Sequence, residues 1–589
     1  MGFATDRDSP PARSANGRYL CGVDGRIFDS PRLKEFCRAA GLSFDALSAP
    51  EIVLEIYQAR GLEGFRLLEG GFVFAIYDTR DNVLVLGRDM FGVKTIFFAP
   101  TPSGFVFSSS LAGVAKAPWF DRRIGLAGFL EYFACGYVSA PWTIYQNASA
   151  VRPGECVIVR NGEVTTRHFH ILEPKGWQFL DPGRASEAEL VDRLEQLAID
   201  AVKRRLPRTA EVAAYLSGGL DTSLLCALLK EVAGRKVVAY TLGFKGRRHD
   251  EAPHARVVAD HLGIEHQSFN LGKDESVHLL AELPAIYGQP LADISAVPTC
   301  VIAGKVAQRF DAIFDGQGPD FLFGNFDLRT LYYCYHGVPR PLRRGLSGIS
   351  RFLARNVFRN WTSPNLDVAE LLRQPEFFWV FTRMFKSADL ERLVGERVYP
   401  ESFWCHRFLE SRTDIPVAER LRLAQYLCYG ISDVLFKAGA GHNASLVDIL
   451  CPYFDLDFFN FVQFLPTKYK FRRLYGKYLQ KQLLYRKIPR AILERPKRGF
   501  VMDFVEFGVD TTRALTDRFL TRKRLAETGL FNVDFALKCV EDYYHGDSNM
   551  GPKLWTLLMF EIWREEFSVT GAAGMNSPAP ARAAELSVA

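Results

Sequence analysis

The sequence predicts two domains, an α+β sandwich followed by an α/β domain with a parallel sheet and a helical C-terminal part. Three observations predict it. At 589 residues the chain is too long for one core. Short apolar strands broken by turn residues run from about residue 18 to 170. From 211 to about 325 strands and helices alternate, and a glycine turn, Leu216-Ser217-Gly218-Gly219-Leu220-Asp221-Thr222-Ser223, joins the first strand to the first helix.

In the first domain Phe72–Asp78 reads as an apolar strand. Val83–Gly87, Thr95–Phe98, Phe105–Ser109 and Cys156–Arg160 continue the pattern, with Arg88–Gly92, Pro153-Gly154 and Asn161-Gly162 as turns. Pro31–Ala40 and Glu51–Ala59 read as helices. Residues 171–185 form a linker. Ser186–Arg205 is an amphipathic helix leading to the strand Glu211–Tyr215, the glycine turn and a helix over Leu224–Val232. Val237–Phe244, Gln267–Asn270 and Ala312–Phe314 follow as strands, Glu251–Leu262 and Val297–Arg309 as helices. Such alternation predicts crossover helices on a parallel sheet, with ligands at the carboxyl ends of its strands. From 327 to about 570 the chain reads as mostly helical.

Composition narrows the function classes. The chain is 48% hydrophobic and 24% charged, ordinary for a soluble globular protein. A formal charge of +6 over this length is too dilute to point to nucleic acid. The eleven cysteines are scattered and never spaced as CxxC, which predicts reduced thiols in the cytoplasm. No apolar run is long enough to span a membrane. Residues 1–17 read as a disordered arm and 571–589 as a disordered tail, leaving domains at 18–170 and 186–570.

The glycine turn carries the chemistry. A strand, paired glycines and a helix start present backbone N–H groups to a phosphate. Ser217, Thr222 and Ser223 add hydroxyls, and Asp221 is placed to hold Mg2+ on the phosphates. No Gly-Lys-Ser/Thr follows, so this is not a Walker loop.

The turn resembles the SGGxDS loop of ATP pyrophosphatases, and its company extends the resemblance to the asparagine synthetase family over about 18–570. Asp250-Glu251, Pro290-Leu291-Ala292-Asp293, Gly316–Asp320 with Phe323-Gly324, Pro452-Tyr453-Phe454-Asp455, Gly476-Lys477 and Arg495-Pro496-Lys497-Arg498-Gly499-Phe500 match family segments in order. The resemblance implies an Ntn-type sandwich, truncated at its front, followed by a PP-loop ATP pyrophosphatase domain. It implies that ATP is attacked at its α-phosphorus by a carboxylate, giving an acyl-adenylate and pyrophosphate. Asp221 and Asp320 are then expected to hold Mg2+, Ser217–Leu220 to cradle pyrophosphate, and Leu216, Thr241, Leu242 and Gly316 to line the adenosine pocket. Lys497 is expected to meet the charge that develops in the transition state.

The chain departs from the family in three places. Glutamine-using members begin at a catalytic N-terminal cysteine; here residue 2 is Gly. Cys21, ahead of Gly22, invites the reading of a nucleophile exposed by processing. A register that sets Val23–Phe28 on the family's NGEIYN segment fits the following residues better. In that register the glutamine-binding Asn becomes Asp24, the Glu becomes Arg26, and a further Asp becomes Ala49. Glutamine hydrolysis is therefore not expected. Second, the family's Glu or Tyr in the GxGxxD loop is Gln317, whose amide can orient an amine but not take its proton. Third, DRMSMA becomes Gly439–Ala444, and the lost Arg and Met side chains should open the acceptor pocket. His442 enters as a candidate base, against the alternative of a buried structural histidine.

These features predict an AMP-forming amide ligase that joins a side-chain carboxylate to an amine without glutamine. The truncated front domain and altered pocket resemble lasso-peptide macrolactam cyclases, which would bring a peptide substrate and, as partners, a leader protease and a peptide-recognition protein. The rivals are a small-molecule or ammonia-dependent amide synthetase of the asparagine or β-lactam type, a tRNA-modifying PP-loop enzyme, and a nucleotide-binding scaffold.

Overall fold

The computed structural model describes residues 9–102, 104–172, 178–181, 183, 185–244, 250–324, 342, 384–395, 408, 411–472, 476–493, 509–567 and 569. Lys497 and its RPKRGF segment lie outside the described residues, as does most of the stretch from 325 to 410.

The front domain is built on a six-stranded antiparallel sheet. Its strands are β1 (Ala12–Arg13), β2 (Tyr19–Ile27), β3 (Gly70–Asp78), β4 (Val83–Arg88), β8 (Glu155–Arg160) and β9 (Glu163–His168), in that order across the sheet. A small second sheet holds β5 (Phe97–Thr101) between β6 (Gly104–Ser108) and β7 (Ser149–Ala150). Helices α1 (Pro31–Ala39) and α2 (Ala49–Arg60) fall where the sequence placed them; Glu51 closes a capping box onto Ser48. β2 went unread because its run, YLCGVDGRI, carries Asp, Arg and two glycines. The expected arm is corrected in part: Ala12 pairs with Cys21, and Arg18 grips Asp78, so the chain is ordered well before residue 17.

The second domain carries a five-stranded parallel sheet. Its order is β12 (Glu265–Asn270), β11 (Lys236–Gly243), β10 (Glu211–Tyr215), β13 (Ala312–Phe314) and β14 (Asp448–Leu450). The order reverses at β10, so the strand that feeds the glycine turn is the topological switch point, where ligands sit. β14 was not foreseen: three residues more than a hundred positions after β13 give no local strand signal, and parallel pairing with Ala312–Phe314 makes them one. Flanking helices include α4 (Glu187–Arg204), α5 (Leu220–Val232), α6 (Ala252–Leu262), α7 (Lys273–Tyr287), α8 (Ala296–Ala307) and α10 (Phe436–Ala444). α3 (Leu126–Cys135) belongs to the front domain, α9 (Val417–Gln425) precedes α10, and α11 (Leu456–Phe464), α12 (Tyr478–Tyr485) and α13 (Gly551–Glu566) complete the C-terminal part.

The two domains share cores. Phe28, Met90, Phe91 and Val93 of the front domain sit in the cluster that packs the parallel sheet. Phe91 lies against Phe454 and Phe459, with ring centroids 5.7 and 5.2 Å away. Front-domain α3 packs on C-terminal α13, where Phe133 and Phe560 approach to 5.2 Å and the Tyr132 hydroxyl donates to the Thr556 carbonyl at 2.8 Å. Each such ring buried contributes about 1.5–3 kcal/mol. The expected linker is also partly tied down: Leu172 is buried, and Gln463 Nε2 donates to its carbonyl at 2.8 Å. No described helix is long and apolar enough to cross a membrane.

Candidate active site

The glycine turn leaves β10 at Tyr215 and enters α5 at Leu220, four residues earlier than the sequence predicted. Asp221, Thr222 and Ser223 therefore stand in the first helical turn, where the positive end of the helix dipole favours anions. Gly218 has φ +69°, and a Cβ there would come within 2.9 Å of the His254 backbone. Only glycine fits that turn without strain. The hydroxyls tie the turn to itself: Ser217 N donates to Thr222 Oγ1 at 3.1 Å, and Gly219 N donates to Ser217 Oγ at 3.1 Å. Gly316, at the end of β13, packs so closely that a Cβ would meet Thr222 Cγ2 at 2.9 Å. The loops after β10 and β13 thus touch, as parallel strands require.

Asp221 and Asp320 converge. Lys477 Nζ bridges them, 2.5 Å from Asp221 Oδ2 and 2.8 Å from Asp320 Oδ1. Burial would lower the Lys477 pKa, but the two carboxylates override it and hold the ammonium well above the ordinary lysine range. One cation can therefore be held by both carboxylates at once, which is the fit a magnesium ion needs. Lys477 was missed as a site residue, although Gly476-Lys477 was read as part of a motif. Its backbone is left-handed, φ +54°, just ahead of α12. For a non-glycine residue that conformation costs about 1–2 kcal/mol. Gln480 Nε2, one turn into α12, donates to Asp221 Oδ1 at 3.0 Å, and Tyr453 Oη donates to the Asp221 carbonyl at 3.0 Å. Tyr453 is held in turn because Asp455, two residues on, is clamped by Arg204 and Arg205 of the helix leading to β10.

The remaining predicted residues divide. Leu216 and Leu242 have side chains in the sheet core, so their backbone is what they offer a nucleotide. The Thr241 hydroxyl donates to the Leu216 carbonyl; its only proton is thereby used, so His266 Nε2, 2.8 Å away, is the donor to it. Gln317 Nε2 donates to Asp315 Oδ2 at 2.8 Å, while Gln317 Oε1 is buried with no hydrogen-bond partner among the described residues. Ser223 Oγ and Gln480 Oε1 are buried without partners in the same way. Orphaned polar atoms gathered at one site are what a polar ligand would satisfy. Burial raises the Asp315 carboxyl to about 6, although Gln317 donates to it.

His442 is corrected. It is 2% exposed on α10, its Nδ1 lies 2.7 Å from the Ala438 carbonyl, and its Nε2 lies 2.6 Å from Tyr215 Oη. With both nitrogens engaged, and with burial lowering its pKa to about 4, it is a structural histidine beneath the turn. The expected pocket opening is relocated. Ala440, Gly441 and Asn443, which stand where the family has Arg and Met, line a cavity between the two domains. Gln308, Asn443 and Ser445 of its lining come just before β13 and β14, whereas the glycine turn follows the end of β10.

The front-domain residues of interest meet the second domain. Cys21 lies within β2, paired with Ile76, 1% exposed, with its thiol pushed far up by burial. Asp24 and Arg26 alternate onto one face of β2. Arg26 Nε is 2.8 Å from Asp448 Oδ2 and its Nη2 is 2.8 Å from Asp311 Oδ2. Lys94 Nζ reaches Asp448 Oδ1 at 3.0 Å, Asn443 Oδ1 at 2.7 Å and Asp24 Oδ1 at 3.2 Å. Lys94 is presented by a rigid turn, because Asp89 accepts the N–H groups of Phe91, Val93 and Lys94.

Comparison with known proteins agrees with this geometry. The family model for asparagine synthase matches residues 193–565, and that for a glutamine amidotransferase domain matches 4–170. A putative glutamine-hydrolyzing asparagine synthetase of Mycobacterium tuberculosis is 27% identical over 95% of this chain and 86% of its own length. Asparagine synthetase 1 of Bacillus subtilis is 23% identical over 92% of this chain and 85% of its own. The enzyme of Bos taurus is 29% identical over 55% and 56%. With a glycine turn at the switch point, paired carboxylates above it and a family match over more than half its length, the chain belongs to the asparagine synthetase family of ATP-dependent carbon–nitrogen ligases.

Proposed function

We propose that this ligase couples a side-chain carboxylate to an amine without hydrolysing glutamine, and that its substrate is a peptide closed into a macrolactam, as in lasso peptides. One observation carries the reading. Asp24 and Arg26, which stand where the family contacts glutamine, are engaged in ion pairs with the second domain, whereas the ATP site keeps its carboxylates and cation converged. Buried Cys21 supports it from the other side, since a nucleophilic thiol needs access and a lowered pKa.

The chain's residues then divide the work. Backbone N–H groups of Ser217–Leu220 cradle the β- and γ-phosphates as they leave. Asp221 and Asp320 are the residues that would hold a magnesium ion, which would supply positive charge to the phosphates. The substrate carboxylate oxygen attacks the α-phosphorus, and pyrophosphate departs. Lys477, displaced from between the carboxylates, is placed to follow the departing charge. Gln317 Oε1 accepts from the incoming amine, whose nitrogen attacks the acyl carbon; the C–O bond to AMP breaks, and the amine proton passes to the departing AMP phosphate. Lys497 is proposed, by family resemblance, to meet the charge on that second step. A leader protease and a peptide-recognition protein are the partners this reading brings.

The test is mass spectrometry after incubation with Mg-ATP. One reaction holds candidate peptides with a free amino terminus and an internal Asp or Glu, with the partner protease. A second holds aspartate and ammonium, and a third aspartate and glutamine. AMP release with loss of one water from a peptide is the expected result. Turnover in the ammonium reaction alone favours the second reading, ammonia-dependent asparagine synthesis, to which the relatives' names lend weight. Consumption of glutamine overturns the glutamine-independent reading.

A further inference from the structure

The cavity between the domains has a volume of about 1070 Å³. Phe97 and Leu111 of the front domain and Leu279 of α7 line it, and Ala440, Gly441 and Asn443 of the α10 segment form part of its wall. Ligand pockets for small molecules run to about 300–1,000 Å³, so this one can take several residues of a chain. Ala440 and Gly441 put small side chains on that wall, and a Cβ at Gly441 would already meet Cys300 Sγ and Tyr287 Oη at 3.2 Å.

Its charge excludes a nucleotide. Carboxylates of Asp24, Glu275, Glu282 and Glu566 border it, against the single ammonium of Lys305. Lys305 pairs with Glu275 at 3.1 Å, and Lys94 pairs with Asp24 at 3.2 Å. Glu282 has His278 beside it at 3.2 Å, and the Glu566 side chain is exposed at the end of α13. The surplus is negative. A walled, acidic cleft repels phosphate and raises the local concentration of cations. Its place near the strand starts also separates it from the ATP site.

We propose that this cavity is a second substrate site, which holds a cationic segment of the peptide: apolar side chains against Phe97 and Leu279, and a lysine or arginine head between Glu282 and Glu566. The inference rests on the peptide reading above. It gives the interdomain space a use in an enzyme whose front-domain polar residues are committed to ion pairs, and it places the truncation of the α10 side chains where the substrate lies.

The test uses the full-length protein and two fluorescein-labelled probes, Arg-Leu-Arg-Leu-Arg and Glu-Leu-Glu-Leu-Glu, read by anisotropy. Gly304 borders the cavity, and a Cβ there meets nothing nearer than Ser445 Oγ at 4.0 Å. Gly304→Trp therefore fills the space without a clash at its base, and gains helix propensity over glycine. The basic probe is expected to bind the wild type, to bind at least tenfold more weakly to Gly304→Trp and to the double variant Glu282→Lys, Glu566→Lys, and to weaken with salt. Binding of a fluorescent ATP analogue is expected to stay within twofold in both variants, which shows that they fold. Failure of the basic probe to bind the wild type, equal binding to Gly304→Trp, or equal binding of the acidic probe overturns the proposal. Failure of the peptide reading shows elsewhere, as the absence of water loss from any candidate peptide.

Discussion

Two charged regions of this molecule use similar residues to opposite ends. At the mouth of the parallel sheet, Asp221 and Asp320 share one ammonium, and Gln317, Ser223 and Gln480 each keep a buried polar atom without a partner among the described residues. At the domain junction, Arg26 and Lys94 meet Asp24, Asp311 and Asp448 in pairs of 2.8–3.2 Å. The first region holds one lysine between two carboxylates and keeps polar atoms unpartnered beside it. The second is closed upon itself and joins two domains. The difference teaches that residue type alone does not mark a site; the arrangement of the charges and their partners has to be read with it.

The largest expected effect lies in the first region. Asp221→Asn or Asp320→Asn should lower AMP release about 10²–10³-fold, with the thermal midpoint little changed. Unaltered turnover in either variant would remove that carboxylate from the mechanism. The junction should answer the other way. Arg26→Ala leaves Asp448 buried with less compensation and is expected to cost about 3–5 kcal/mol in urea unfolding. Arg26→Met paired with Asp448→Leu should restore much of it. If the double variant is no better than the single, the junction is more than an ion-pair clamp.

Asp315 sharpens the comparison through pH. Its folded pKa of about 6 lies above the ordinary 3.8, so the native state holds the proton more tightly than the unfolded chain. Stability then falls as pH rises from about 4 to 6, and the penalty is in full force above that. Asp315→Asn keeps an acceptor for Gln317 and should gain up to ~3 kcal/mol at pH 8 and nothing at pH 4. A gain that does not depend on pH would place the proton elsewhere. His442→Gln should change turnover by less than about tenfold and leave the pH–rate profile unmoved, in contrast to the loss a general base would show. The smallest effect is expected from Cys21→Ala: about 1 kcal/mol of stability for a small buried side chain, and no change in AMP release.

The ATP half was legible because its signals are local. A strand, two glycines, a hydroxyl-rich helix start and an Asp fall within a dozen residues, and each names its own geometry. The boundaries moved by a few residues, most of all at α5, whose first turn had been read as loop. The front domain was legible as strands and turns, yet β2 was overlooked, because two glycines interrupt its run and charged Asp24 and Arg26 share one face for a reason that lies far along the chain, in Lys94 and Asp448. Lys477 was passed over for a similar reason. A lysine after glycine says nothing of two aspartates that lie more than 150 positions before it.

The sequence by itself determined the order of domains, the parallel sheet, the glycine turn and the pair of carboxylates that hold a cation, since these rest on periodicity, glycine conformation and side-chain chemistry close along the chain. Only the tertiary structure decided which charges are engaged and which are left for a ligand. It buried His442 under Tyr215, set Arg26 against Asp448 and Asp24 against Lys94, set Lys477 between Asp221 and Asp320, and placed the shortened side chains of α10 along an interdomain cavity. The physical reason is that the free energy of a charge depends on its burial and on its neighbours, and both are fixed by contacts hundreds of residues apart in the sequence.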